Sequence, residues 1–231
     1  SQIHAHGSGA VDNEVATEAE AFEQIARFLS YLPQSVWQQP PRLPNADPAE
    51  RREESLLSVI PRERREMYEV REVISGIVDS DSFFEINGGY GRSLVIGLAR
   101  LNGYAVGVMA NDTKHHGGAV DAQASEKMMR FVDLCDTFHL PVVNLVDNPG
   151  FLIGTAAEEA GTVRLGSRAL MACLQASVPW VSVIIRRCYG VAGAGHGNAD
   201  RLNLRYAWPS ADWGSLPIEG GVQAAYKRDI E

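Results

Sequence analysis

Cysteine is scarce in this 231-residue chain: Cys135, Cys173 and Cys188 are few, odd in number and scattered. That argues against a disulfide framework and against a cysteine-held zinc site. No basic run occurs, and 21 Lys+Arg against 29 Asp+Glu leave a formal net charge of −8. Nucleic acid is therefore not expected as a partner. The longest apolar runs are interrupted by Arg, Gly or Pro, so no membrane-spanning helix is expected. No secretory signal is visible. The cytoplasm fits best, or a mitochondrial matrix if a transit peptide was removed. Adjacent His115-His116 lack a third spaced ligand, so no metal site is expected. There is no internal repeat.

Catalytic side chains are also hard to find. Ser125, Ser167 and Ser182 lack the strand-turn-helix context of a nucleophile elbow. His139, just before a buried strand, reads as structural. Cys188 is explained by small apolar bulk as well as by reactivity. Glu158-Glu159 read as partners of a helix dipole.

What is present is an ordinary globular composition, 45% hydrophobic and 22% charged, enough for one substantial core. Apolar residues at helical spacing predict a helix over Glu18–Leu32, ended by Pro33. Residues 34–54 are rich in Pro, Gln and charge and read as a linker or an extended crossing segment. A helix is predicted over Tyr68–Val78, then a short strand over Ser82–Ile86. Leu94–Leu101 and Gly103–Ala110 read as strands joined by an Asn102-Gly103 turn. Helix Asp121–Phe138, strand Pro141–Asp147, helix Glu158–Ala176 and strand Trp180–Arg186 complete the pattern. The alternation predicts an α/β organisation with parallel strands. Residues 223–231 read as a helix cut before any cap, and both ends look like excisions from a longer protein.

Three loops then stand out, each after an apolar strand, where ligands bind in open α/β sheets. In the first, Gly117-Gly118 precede Asp121 and a helix start, which suits anions or oxyanions. In the second, Pro149-Gly150-Phe151 come after a buried strand, and Phe151 is placed to wall a pocket. The third is the densest: Gly190, Gly193, Gly195 and Gly197 leave the backbone nearly bare, so main-chain N–H groups can approach a ligand. Its glycines lack the dinucleotide-binding order, although Asp212 lies near the spacing of a ribose-binding acid. Arg186 and Arg187 are read either as anchors for a phosphate or carboxylate or as partners of surface acids.

In order along the chain, Ser8-Gly9, Tyr31-Leu32-Pro33, Phe83-Phe84-Glu85, Ala124-Ser125-Glu126-Lys127, Arg130-Phe131, Cys135-Asp136 with Phe138, Leu140-Pro141, Val146-Asp147 with Pro149-Gly150-Phe151-Leu152, Gly154-Thr155, Val178-Pro179, Tyr189-Gly190 and Ala207-Trp208-Pro209 form a set. The set resembles the carboxyltransferase (beta) subunit of biotin-dependent acyl-CoA carboxylases of the propionyl-CoA and acetyl-CoA type, in its C-terminal half. The resemblance implies a crotonase/ClpP-like spiral of ββα units. It implies residues 1–33 as the tail of the N-terminal half, 34–60 as a linker, and 61–231 as the C-terminal, biotin-side domain. The activity implied is transfer of a carboxyl group from carboxybiotin to the α-carbon of a short or medium acyl-CoA. Partners implied are the acyl-CoA, with coenzyme A as part of the substrate, a biotin carboxylase or biotin carrier subunit, and copies of the same chain in a hexamer.

By resemblance, the backbone amides of Val191 and Ala192 form an oxyanion hole for the biotin ureido oxygen. Gly190, Gly193, Gly150 and Phe151 shape the biotin side, and Gly117, Gly118 and Ala194 face the substrate. Two departures matter. Related loops read Tyr-Gly-Gly-Ala, so Val191 replaces a glycine, which preserves the N–H provided positive φ is not required. Ala194 stands where many relatives carry an Asp that influences acyl preference. Those departures motivate one alternative, a non-catalytic binding or assembly subunit; a biotin-dependent decarboxylase or transcarboxylase subunit, which shares the half-reaction, and a crotonase-type hydratase or hydrolase are the others.

Overall fold

In the computed structural model, residues 2–48, 50–195, 197–217, 221 and 226–230 are described. A mixed sheet runs in the order β1 (Phe84–Ile86), β2 (Leu94–Leu101), β3 (Tyr104–Asn111), β4 (Val142–Asn148), β5 (Trp180–Tyr189) and β6 (Asn203–Ala207). β7 (Asp212–Gly214) pairs with the far end of β5. The first three strands are antiparallel, and β3 to β6 are parallel. The expected α/β class is therefore met, with two hairpin-like antiparallel pairings at one side.

The β2–β3 turn is dictated by its residues. Asn102 and Gly103 both have positive φ, 50° and 79°, the pair of values a tight twisted hairpin requires. The Asp79 carboxylate accepts both turn N–H groups, at 2.8 and 2.7 Å. A side chain at Gly103 would overlap the Leu43 carbonyl, because the 34–60 segment lies across this turn. Its hold there includes Leu43 N–H to Gly103 O at 3.0 Å and Arg42 to Asn102 O at 3.0 Å.

Both faces of the sheet are covered. Leu94, Ile96 and Leu98 of β2 pack with α3 (Ala122–Thr137) and α5 (Thr162–Gln175). Val95 and Ala99, on the opposite face, pack with α2 (Val70–Ile77). Two-sided burial explains why these strands read as unbroken apolar runs. Val70, Val73 and Ile74 of α2 have no exposed surface. At roughly 1.5–3 kcal/mol for each fully buried aliphatic side chain, packing outweighs the weak intrinsic helicity of eight residues. α1 (Glu18–Ser30) docks on the α3 side of the core through Phe28 and the nearby Tyr31, whose rings are tilted against Phe84.

The structure departs from the sequence expectations in three respects. The helix expected over Glu158–Ala176 is split into α4 (Thr155–Glu159) and α5, because Gly161 turns left-handed at φ 74°. β5 runs three residues past Arg186, extended by its pairing with β7. β6 and β7 have no counterpart in the sequence expectations. At the C-terminus Lys227–Ile230 are helical, while 222–225 and 231 lie outside the described residues, as does His196 of the Gly loop.

Candidate active site

The three loops gather at the C-terminal ends of β3, β4 and β5. Val120 bridges to Phe151, joining the first loop to the second. Arg187 donates to Gly117 O at 2.7 Å, joining the first to the end of β5.

At that end, Gly190 turns the chain at φ 62°, and its N–H is held by Gly214 O at 3.0 Å. Val191 comes next in right-handed helical conformation, φ −67° and ψ −39°. Ala192–Ala194 make a single 3₁₀ turn, closed by Ala194 N–H to Val191 O at 3.0 Å. The leading N–H groups of a helical turn have no acceptor within it, so those of Val191, Ala192 and Gly193 are not used by the turn. The condition set by sequence is met: this position needs negative φ, and valine supplies its N–H without strain. Gly193 is needed for a different reason, since a Cβ there would lie 2.9 Å from the Cys188 carbonyl carbon.

Ala192 and Gly193 are buried, whereas Val191 is 68% exposed. Beneath the turn is a void of about 20 Å³ shared with the side chains of Asn111, Asn144 and Asn148. That is room for one water-sized group.

Asp147 ties the strands below these loops. It is fully buried, and four donors reach its carboxylate. Arg187 N–H and Nε donate to Oδ1 at 3.2 and 2.7 Å. Arg186 Nε and the Tyr68 hydroxyl donate to Oδ2 at 2.9 and 3.0 Å. Arg186 also lies over the Tyr68 ring, 5.1 Å from its centroid. Burial first, then the adjacent carboxylate, pushes the Tyr68 phenol far above its usual range. Among the described residues both arginines pair with buried Asp147 and with backbone carbonyls, not with a surface acid.

The carboxyl transferase domain family matches residues 1–231. This chain belongs to that family. The propionyl-CoA carboxylase carboxyltransferase subunit of Haloferax mediterranei is 37% identical over 232 residues, 99% of this chain and 44% of that protein. The methylmalonyl-CoA carboxyltransferase 12S subunit of Propionibacterium freudenreichii subsp. shermanii is 37% identical over 220 residues, 94% of this chain and 42% of that protein. The transcarboxylase 12S crystal structure, a hexamer assembly with methylmalonyl-coenzyme A and methylmalonic acid bound, superposes with a TM-score of 0.93 at 34% identity, covering 100% of this chain and 44% of that one. The chain thus spans under half the length of these relatives. The crotonase-like α/β architecture is shared with them.

Within the carboxyl transferase fold, the remaining site residues take varied places. Gly150 has φ 131°, and nothing lies within 4 Å of where its Cβ would be, so the surface above it is open to a ligand. Phe151 lies against α5: a Cβ on Gly166 would approach its ring to 2.3 Å. That contact ties the second loop to the helix beneath it. The Gly118 amide is taken by His115 O at 2.9 Å, and the α3 N-terminus is capped by Asp121, whose Oδ1 accepts the Ala124 N–H at 2.7 Å. The Gly118 amide is therefore not free for a ligand. Ala194 is exposed on the turn.

The side-chain alternatives dissolve in structural roles. Ser125 and Ser167 hydroxyls donate to carbonyls at the start of or within their own helices, both at 2.8 Å, and Ser182 accepts from the Trp180 indole at 3.1 Å. His139 takes the left-handed position after α3 at φ 59° and its ring meets Val36 O at 2.7 Å. Burial pushes the Cys188 thiol up, away from thiolate. Asp212 is occupied by the Tyr189 hydroxyl at 2.6 Å and by Arg64, not poised for a ribose. Asn111 and Asn148 border the loops singled out by sequence, whereas Asn144 was not expected at the site. Their signal was polarity inside apolar strands, which structure alone assigns to one void.

Proposed function

We propose that the intact protein transfers a carboxyl group from carboxybiotin to the α-carbon of a short or medium acyl-CoA. The observation that carries this reading is the Val191-Ala192 pair: two successive N–H groups unused by their own turn, at the carboxyl end of a parallel strand. A ureido oxygen is an acceptor with two lone pairs, and adjacent amides match it. Bound carboxybiotin supplies the activated carboxyl group. The Val191 and Ala192 N–H groups would hold the ureido oxygen and stabilise negative charge there, a role suited to fixed dipoles. Carboxybiotin, when bound, would give its carboxyl to the acyl-CoA α-carbon, and its nitrogen would take the α-proton in exchange.

Residues 61–231 form the biotin-side domain on this reading, 34–60 the linker and 1–33 the tail of the other half. Gly190, Gly193, Gly150 and Phe151 shape the biotin side, and Gly117, Gly118 and Ala194 the substrate side. Hexamer formation and a separate biotin-carrying partner are part of the proposal, supported by the hexameric transcarboxylase relative. Three free, buried cysteines support a reducing compartment, cytoplasm or mitochondrial matrix. No helix among the described residues is long and apolar enough to cross a membrane.

A transcarboxylase is the second reading, favoured by the likeness to the 12S subunit. It differs in what reloads biotin, not in this site. The assembly-subunit reading loses one of its two motives, because Val191 keeps its N–H in an unstrained conformation. Labelled carboxyl transfer from free carboxybiotin by the full-length protein tests the proposal; transfer to no acyl-CoA would sink it.

A further inference from the structure

The pairing of β4 with β5 contains an irregularity at the site. Val146 pairs with Ile184 and Asn148 with Cys188. Between these pairs β4 contributes Asp147 alone, while β5 contributes Ile185, Arg186 and Arg187. Such bulges bend a strand and re-aim the residues beyond it, and they concentrate beside active sites. Here the residues beyond the bulge are Tyr189, Gly190 and the Val191-Ala192 turn.

A bulge leaves ladder groups unpaired, and they need other partners when buried. Asp147 provides one, since its Oδ1 accepts the Arg187 backbone N–H. The same oxygen accepts Arg187 Nε, and the far nitrogen of that guanidinium reaches Gly117 O at 2.7 Å. On the opposite side, Asp147 N–H donates to Asn111 Oδ1 at 3.2 Å, and Asn111 Nδ2 donates to Gly118 O at 3.1 Å. Asp147 is thus connected to the first loop by two separate routes and to the bulge by a third.

We infer that Asp147 and Arg187 are positioning residues, which hold the β5 bulge and the Gly117-Gly118 loop in one fixed relation so that the Val191 and Ala192 amides meet the reacting group. The inference rests on the proposed carboxyl transfer. Arginine is required because its planar fork spans two acceptors, whereas a lysine ammonium is one compact point.

The test uses the full-length protein with Arg187→Lys, which keeps the charge beside Asp147 and loses the bridge to Gly117. Carboxyl transfer from carboxybiotin is expected to fall in kcat by roughly 100-fold, the scale of an ångström misplacement of reacting groups. KM for the acyl-CoA and Tm should stay near wild type. Amide exchange should quicken in both 114–120 and 188–195, and not elsewhere. Tyr68→Phe removes one donor to Asp147 without touching either loop, and should leave both loops at wild-type exchange. Unchanged kcat, exchange altered in only one loop, or exchange raised throughout the chain with a lowered Tm would each overturn the inference. If the wild-type protein transfers no carboxyl group, the functional reading fails, and the exchange pattern still judges the positioning role.

Discussion

Gly118 lies directly on the backbone of Asp147: a Cβ on Gly118 would sit 2.5 Å from the Asp147 carbonyl oxygen. Its φ is 86° as well, so both space and conformation demand glycine. The contact sets how closely the loop after β3 approaches the end of β4.

Gly118→Ala should therefore destabilise the protein by about 1–3 kcal/mol, the cost of holding a side chain in a sparsely populated conformation against backbone. Urea denaturation of the intact protein measures it. A midpoint unchanged from wild type would show that the loop can retreat from Asp147 freely.

Phe151 and Gly166 make a second such pair. Gly166→Ala should cost about 1–3 kcal/mol by overpacking the ring. Phe151→Leu combined with Gly166→Ala should cost less than the sum of the single changes, since they share one space. Strict additivity in a denaturation cycle would contradict the placement of Phe151 against α5.

Much of this frame was legible in the sequence, and the reason is physical. Helix and strand periodicity marked α1, α3, β2, β3 and β4 within a few residues, and Asn102-Gly103 announced its own turn. β6 was not legible because its residues are mostly exposed and show no alternation; only β5 makes them a strand. Gly161 breaks a helix that composition alone would continue. At the site, the Gly loop was visible as bare backbone. The bulge opposite Asp147 was not, because register is a relation between strands. Arg186 and Arg187 read as ligand anchors or as partners of surface acids for the same reason: their buried acceptor lies 39 and 40 residues away in sequence.

Lys127 gives a pH prediction. Its ammonium is buried and donates to Tyr90 O and Leu94 O at 2.9 and 2.6 Å. Burial pulls its pKa down from 10.5 to about 8. Between those values the unfolded chain binds more protons than the folded one, so this group's contribution to stability rises with pH across the window. Neutral lysine still has two N–H groups for the two carbonyls. The stability of wild type relative to Lys127→Met should thus increase from about pH 8 towards pH 10.5, read by urea denaturation at each pH. A difference that stays flat or declines over that range would contradict the depressed value.

Val191→Pro tests the central claim most directly. Proline removes the N–H but prefers φ near −65°, and Val191 already sits at −67°, so the turn should survive. Carboxyl transfer from carboxybiotin by the full-length protein should lose roughly 100- to 1000-fold in kcat, the usual effect of deleting one oxyanion donor, with the acyl-CoA KM and Tm little changed. Wild-type kcat in the proline variant would contradict the assignment of the Gly-rich turn as the oxyanion hole.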